Sequence, residues 1–153
     1  MKVLPALALL ACQPLSLAQT SQLLAAAPPA KVAGKRGATV EAKIGLQLRS
    51  GYHVNSNRPN EDYLIPLRLK WEPGALAATE VIFPKPEQKN YAFASKPVSV
   101  FTGDFQVVAR FKVDANAPAG PGVLVGKLRY QACSDDTCYR PATLEIRLPY
   151  EIH

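Results

Sequence analysis

The sequence predicts an all-β domain, an immunoglobulin-like antiparallel β-sandwich. Three observations predict it. About seven short segments alternate apolar and polar residues with the two-residue period of a strand that buries one face. Turn signals recur between them at regular spacing, and no stretch carries a helical period. Fourteen prolines and nine glycines in 153 residues suit short strands and turns better than long helices.

Residues 39–49 alternate cleanly. Val40, Ala42, Ile44, Leu46 and Leu48 share one face, and Glu41, Lys43, Gln47 and Arg49 share the other. Gly51 ends this strand, and residues 52–60 are polar and turn-rich. A second strand has Tyr63, Ile65, Leu67, Leu69 and Trp71 on its apolar face. Pro66 inside it points to an edge position or a bulge, because proline donates nothing to a ladder. Glu72-Pro73-Gly74 is a turn. Residues 80–83 form a short strand stopped by Pro84 and Pro86. Residues 88–97 show no period and read as a loop or hairpin arm. Strand resumes at 98–101, turns at Thr102-Gly103-Asp104 and runs through 105–113 with Phe105, Val107, Ala109, Phe111 and Val113 inward. After a Pro/Gly loop, residues 123–132 rise to a last turn. Residues 142–150 return, with Ala142, Leu144, Ile146, Leu148 and Tyr150 apolar.

Residues 1–18 read as an export signal. Lys2 gives a positive end, residues 3–11 form an apolar run too short to span a bilayer, and Ser16-Leu17-Ala18 places small residues before a cleavage site at Gln19. In a competing reading Leu9-Leu10-Ala11-Cys12 resembles a lipobox, and Cys12 becomes a lipid anchor. Both readings send the protein across the inner membrane to the periplasm and remove Cys12 from thiol chemistry. Residues 19–37, rich in Ala, Pro, Gln and Lys, read as a flexible lead-in, which leaves 38–153 as one sandwich domain. No repeat and no internal transmembrane segment is evident.

Loss of Lys2 with the leader leaves 17 of the 18 basic residues against 12 acidic ones, a net charge of +5. The excess is mild and scattered, with no basic cluster interleaved with aromatics, so nucleic acid is not an expected partner. Hydrolytic chemistry has no support either: there is no nucleophile motif, no paired catalytic carboxylates and no phosphate loop.

The chemistry concentrates in Tyr130-Gln131-Ala132-Cys133-Ser134-Asp135-Asp136-Thr137-Cys138-Tyr139-Arg140-Pro141. Cys133 and Cys138 are the only cysteines outside the leader. Four small polar residues separate them, and an alternating segment lies on each side, so they read as a pair at a hairpin tip. Two cysteines in an oxidising compartment suit an intramolecular pair. A disulfide there closes a very short loop and adds only about 2 kcal/mol of stability. A bridge that adds little, at an exposed tip, suits one meant to be broken. A static staple across the hairpin is the alternative. A zinc half-site is a third, but it needs two more ligands and the chain offers only His53 and His153. No metal or other cofactor is expected.

Tyr130-Gln131-Ala132-Cys133, a short polar loop, then Cys138-Tyr139-Arg140-Pro141 resembles the cysteine hairpin of the N-terminal periplasmic (alpha) domain of the thiol:disulfide interchange protein DsbD. Gly51-Tyr52-His53-Val54-Asn55-Ser56-Asn57-Arg58-Pro59, followed by Tyr63-Leu64-Ile65-Pro66, resembles an early segment of the same domains. The similarity runs over roughly residues 38–150 and implies an immunoglobulin-like fold, in agreement with the strand pattern. It implies a protein-disulfide reductase or thiol–disulfide interchange component that relays reducing equivalents to extracytoplasmic thiol proteins, cytochrome c biogenesis among the processes served. Cys138 would form the mixed disulfide with a partner, and Cys133 would resolve it.

Such domains also carry an aromatic cap loop, for which Tyr91-Ala92-Phe93 is the best match by position. Ordinary core packing is the alternative for Tyr91 and Phe93. Tyr52, His53 and Tyr139 fall near the site. His53 is a proton carrier or an exposed turn histidine without a task. Asp135 and Asp136 would oppose thiolate formation if close, and Arg140 would favour it; turn chemistry accounts for both aspartates.

The sequence departs from the family pattern in three ways. Gln88, Lys89 and Asn90 stand where acidic residues are common, and the spacing between the cysteines is slightly short. The chain ends at His153 without the membrane conduit and thioredoxin-like domain of full-length DsbD. It therefore reads as a stand-alone version, with thioredoxin-like proteins and a membrane electron donor as separate partners. The rival expectation is a non-catalytic immunoglobulin-like binding module with a structural hairpin disulfide.

Overall fold

A computed structural model describes residues 22–153. The export signal and Cys12 lie outside the described residues. The described chain is all β, in twelve strands: β1 (Leu24–Ala26), β2 (Val32–Gly34), β3 (Thr39–Leu48), β4 (His53–Asn55), β5 (Arg68–Trp71), β6 (Leu76–Ile82), β7 (Glu87–Lys89), β8 (Val98–Thr102), β9 (Asp104–Val113), β10 (Gly120–Tyr130), β11 (Ala132–Cys133) and β12 (Ala142–Ile152). They form three four-stranded sheets, ordered β1-β3-β9-β6, β2-β12-β10-β5 and β11-β4-β8-β7. Neighbouring strands run antiparallel except β2, which is parallel to β12. This is the antiparallel immunoglobulin-like sandwich that the period-two pattern predicts.

The two larger layers close on one core. The β3–β9 register sets Ala42 against Ala109 and Ile44 against Val107, all buried. The β10–β12 register sets Leu124 against Leu148 on the facing layer. The long strands β3, β9 and β10 cover alternate residues, so both sheets offer one apolar face and the two faces share a core. Trp71 of β5 meets Phe111 of β9 edge-on at 5.0 Å across the layers. The indole lies over Gly126, its cross-strand partner, where a Cβ would stand 2.8 Å from the ring.

Three expectations are corrected. First, β1 and β2 belong to the sandwich rather than to a flexible lead-in. Leu24 is fully buried opposite Leu48, and Val32 pairs with Tyr150. Strands of three residues are too short to display a period, so composition alone suggested a tether.

Second, the strand expected to begin at Tyr63 begins at Arg68. Tyr63 is 60% exposed and Leu64 is buried instead. The chain before β5 is held by the third sheet: the Leu67 amide donates to Ser56 O at 3.1 Å and the Ile65 amide to Gln131 Oε1 at 3.2 Å. β5 itself lies at a sheet edge, where Pro66 placed it.

Third, β6 begins at Leu76, ahead of the expected residue 80; a register shift between Ala78 and Glu80 masks the alternation.

The third sheet is the small platform that carries the site. Its strand β8 is buried on both faces. Phe101 joins the main core, while Val98 and Val100 join Leu64 in a second cluster against Tyr91, Phe93 and Ala94.

Candidate redox site

The long β10–β12 hairpin ends at the pair Tyr130↔Ala142, below the cysteines. Ala132 and Cys133 then leave that sheet and pair with β4, Ala132 opposite Val54 and Cys133 opposite His53. A tight turn follows. The Ser134 amide donates to Thr137 O at 2.8 Å, and the Thr137 amide donates to Ser134 Oγ at 3.2 Å. Cys138 returns opposite Cys133, the Tyr139 amide donates to Ala132 O at 2.9 Å, and a disulfide joins the two cysteines. The four polar residues between them do the turn chemistry that the sequence suggested.

This docking changes the site's character. The pair was expected at an exposed tip, but Cys133 is 0% exposed, because β11 adds a strand to the third sheet instead of extending β10. Cys138 is only partly covered. It lines a groove of about 240 Å³ with Tyr63, Leu64, Phe93, Gln131 and Asp136. The two sulfurs of one disulfide therefore differ in access.

Directly paired residues on antiparallel strands project from the same face. Thr102 of β8 pairs with His53 of β4, His53 with Cys133, and Cys133 with Cys138. These four side chains form a row across the third sheet.

The loop named as a candidate cap packs against this row. β7 and β8 form a hairpin, Lys89 opposite Val98, and residues 90–97 connect them. The Ala94 amide donates to Tyr91 O at 3.1 Å and folds the connection back on itself. The Tyr91 ring stacks on the His53 imidazole with centroids 3.9 Å apart, and Phe93 lies parallel to Tyr91 at 5.4 Å. Phe93 also lines the Cys138 groove. Burial, with a smaller contribution from the Asp135 charge, pushes the Tyr91 hydroxyl up to about 12. Both rings also pack on the Leu64, Val98 and Val100 cluster, as the core-packing alternative expects.

His53 is not an exposed turn residue; it is 2% exposed. Its Nε2 is buried and has no hydrogen-bond partner. Desolvation lowers its pKa to about 4, opposed by the Asp135 carboxylate and assisted by the Lys89 ammonium. The imidazole is thus neutral near pH 7. The rings of Tyr52 and Tyr139 meet at 6.0 Å. They line a groove of about 660 Å³ that also holds Arg140. Asp136 shares the Cys138 groove, and Asp135 shares one of about 500 Å³ with His53 and Tyr91. The charges around the reactive row are thus the two aspartates, Lys89, Arg49 and, bonded to Thr102, Glu87, while Arg140 lies in the other groove. Among the described residues no three His, Cys, Asp or Glu side chains cluster as metal ligands do.

Sequence reasoning assigned no role to Gln131, Asn55, Ser56 or Ser99, yet these fix the site. Gln131 Oε1 accepts from Asn55 Nδ2 at 3.1 Å and from the Ile65 amide at 3.2 Å, while its Nε2 donates to Tyr139 O at 3.2 Å. Asn55 Nδ2 also donates to Ile65 O at 3.0 Å. The Ser56 and Ser99 hydroxyls share a buried hydrogen bond of 2.8 Å between the loop after β4 and β8. Asn55 and Gln131 both stand inside segments singled out by the sequence. Their polarity there reads as turn or surface, because burial comes only from the third sheet's packing.

A β-sandwich with one buried and one accessible cysteine, joined across a short turn beneath an aromatic loop, is a thiol–disulfide exchange domain. Residues 20–149 match the family described as thiol:disulfide interchange protein DsbD, N-terminal, and the chain belongs to that family. Among solved structures it is similar to the N-terminal periplasmic domain of ScsB from Proteus mirabilis, with a TM-score of 0.52 and 15% identity. That match covers 82% of this chain and 44% of the other, so this chain spans less than half of that structure's length. The seventh ScaB type I cohesin from Pseudobacteroides cellulosolvens aligns with a TM-score of 0.45 and 13% identity, covering 85% of this chain and 92% of the cohesin. At 15% identity the likeness to the ScsB domain is one of fold. No curated protein matches the chain.

Proposed function

We propose that this domain is a periplasmic relay of reducing equivalents, a protein-disulfide reductase working through Cys133 and Cys138. It takes electrons from a membrane donor or a thioredoxin-like protein and passes them to extracytoplasmic thiol proteins, those of cytochrome c biogenesis among them. Export by residues 1–18, with or without lipidation of Cys12, delivers it to that compartment.

The observation that carries the reading is the asymmetry of the pair: Cys133 is fully buried and Cys138 lines a groove. In the reduced domain the Cys138 thiolate attacks one sulfur of a partner's disulfide. A Cys138–partner disulfide forms and the partner's other sulfur leaves as a thiolate that takes up a proton. Cys133 then attacks Cys138 Sγ, closing the Cys133–Cys138 bond and releasing the partner's second sulfur. Two electrons have passed to the partner, and the reverse sequence with a donor dithiol restores the reduced pair.

Cys138→Ser should abolish exchange with a reduced thioredoxin-like donor. Cys133→Ala should leave the first step intact and accumulate a mixed disulfide visible on a non-reducing gel. Full exchange by the Cys138→Ser protein would contradict the proposal.

A further inference from the structure

Cys133 faces a problem that Cys138 does not. A thiol must ionise before it attacks, and a buried thiol ionises reluctantly. Cys133 is fully buried, out of contact with bulk water. Its cross-strand neighbour in the row is His53, and directly opposed antiparallel residues hold their Cβ atoms about 4.5–5.5 Å apart. His53 is also buried, and in the disulfide form its Nε2 has no partner. A buried, unpartnered ring nitrogen is costly to keep. Reduction of the disulfide creates, one strand away, a buried S–H that needs an acceptor. Each group supplies what the other lacks, and only in the reduced state.

We infer that His53 is the proton acceptor for the resolving cysteine, taking the Cys133 proton as Cys133 attacks the mixed disulfide at Cys138. This rests on the exchange reading above and deepens it. The Cys133 S–H proton passes to the imidazole. The Cys133–Cys138 bond forms as the Cys138–partner bond breaks. The departing partner thiolate takes up a proton, and the imidazolium gives its own back to solvent through the adjoining groove.

The surroundings suit a base that is neutral at rest and charged only briefly. Burial and Lys89 favour the neutral imidazole, which is the form able to accept. The Asp135 carboxylate, from the turn between the cysteines, stabilises the transient cation. Arg49, Tyr52 and Tyr91 complete the titratable and charged groups around it. The Tyr91 ring stacked on the imidazole holds its plane fixed. His53 thereby serves the second step of exchange and not the first, since Cys138 has its own access to solvent.

The test separates the two steps. The reduced protein is mixed with excess dithiobis(nitrobenzoate). One nitrothiobenzoate is released as Cys138 attacks the reagent, and a second as Cys133 resolves the adduct. His53→Gln removes the base, and His53→Phe removes it while keeping a ring to stack on Tyr91. In both, the second release at pH 7 should slow by about tenfold while the first stays within about twofold of the unaltered protein. The unaltered protein needs no variant for its own check: its second release should be nearly flat from about pH 6 to 8, where an unassisted thiol gains about tenfold per unit. In the variants that steep rise should return. An unchanged second phase in either folded variant, or a tenfold-per-unit slope in the unaltered protein, would overturn the assignment. A protein that releases no first equivalent would instead overturn the exchange reading, and the His53 assignment with it.

Discussion

Gln131 shows how much of this site depends on one side chain that does no chemistry. Its amide joins the Asn55 side chain, the Ile65 amide and the Tyr139 carbonyl, three groups from separate stretches of chain. The residue after it begins β11, so Gln131 marks where the hairpin leaves one sheet for another. Truncation would leave the amide of a fully buried Asn55 short of an acceptor and cut the tie to the cysteine turn. Gln131→Ala should lower stability by about 2 kcal/mol in urea unfolding, more than an exposed glutamine costs. A loss below about 0.5 kcal/mol would show that the network holds nothing.

At this scale the sequence was half legible. Cys133 and Cys138 announced themselves as the only pair outside the leader. His53 was placed near the site by resemblance, but its burial was not legible: Ser56, Asn57, Arg58 and Pro59 after it make the stretch look like surface, whereas β8 and β11 enclose it on either side.

At the scale of elements, the β7–β8 hairpin carries the aromatic loop that packs beside the site. Its strands are short, but their register and three side-chain bonds anchor the connection. Thr102 Oγ1 donates to Glu87 Oε1 at 2.6 Å, and Asn60 Nδ2 donates both to Gln88 Oε1 and to Pro97 O at 2.8 Å. The aromatic loop 90–97 is therefore hung from fixed ends, with Tyr91 over His53 and Phe93 beside the groove of Cys138. Replacing both rings, as Tyr91→Ala with Phe93→Ala, should speed iodoacetamide alkylation of Cys138 severalfold in the reduced Cys133→Ala protein. Unchanged alkylation would mean that the rings pack but do not cover.

Long elements were legible and short ones were not. β3 and β9 each alternate covered and more open residues over ten positions, so the period declares them. β1, β2, β7 and β11 have two or three residues and take their conformation from the strand beside them. No local pattern can report a partner far away in sequence. Loop 90–97 was placed by resemblance alone for the same reason.

The whole molecule divides its labour between two large layers and one small one. The sandwich of β1-β3-β9-β6 against β2-β12-β10-β5 contains most of the buried apolar residues and the long β10–β12 hairpin. The third sheet rests on that core through Phe101 and Val54 and presents the row His53, Cys133, Cys138 on its platform. The disulfide closes a loop too short to add more than about 2 kcal/mol. A fold with this much core does not depend on it, which leaves the bond free to be made and broken. The fold class was legible because it follows from alternation summed over the whole chain. The third sheet was not, since it is assembled from fragments between the long strands.

The central claim is that the bond is exchanged in function and is not a structural staple. Equilibration with glutathione buffers measures its reduction potential directly. A value above about −250 mV places the pair among catalytic disulfides, as the accessible Cys138 and the minor stabilising role predict. A value below about −300 mV would contradict the account and mark a structural bridge in a non-catalytic module.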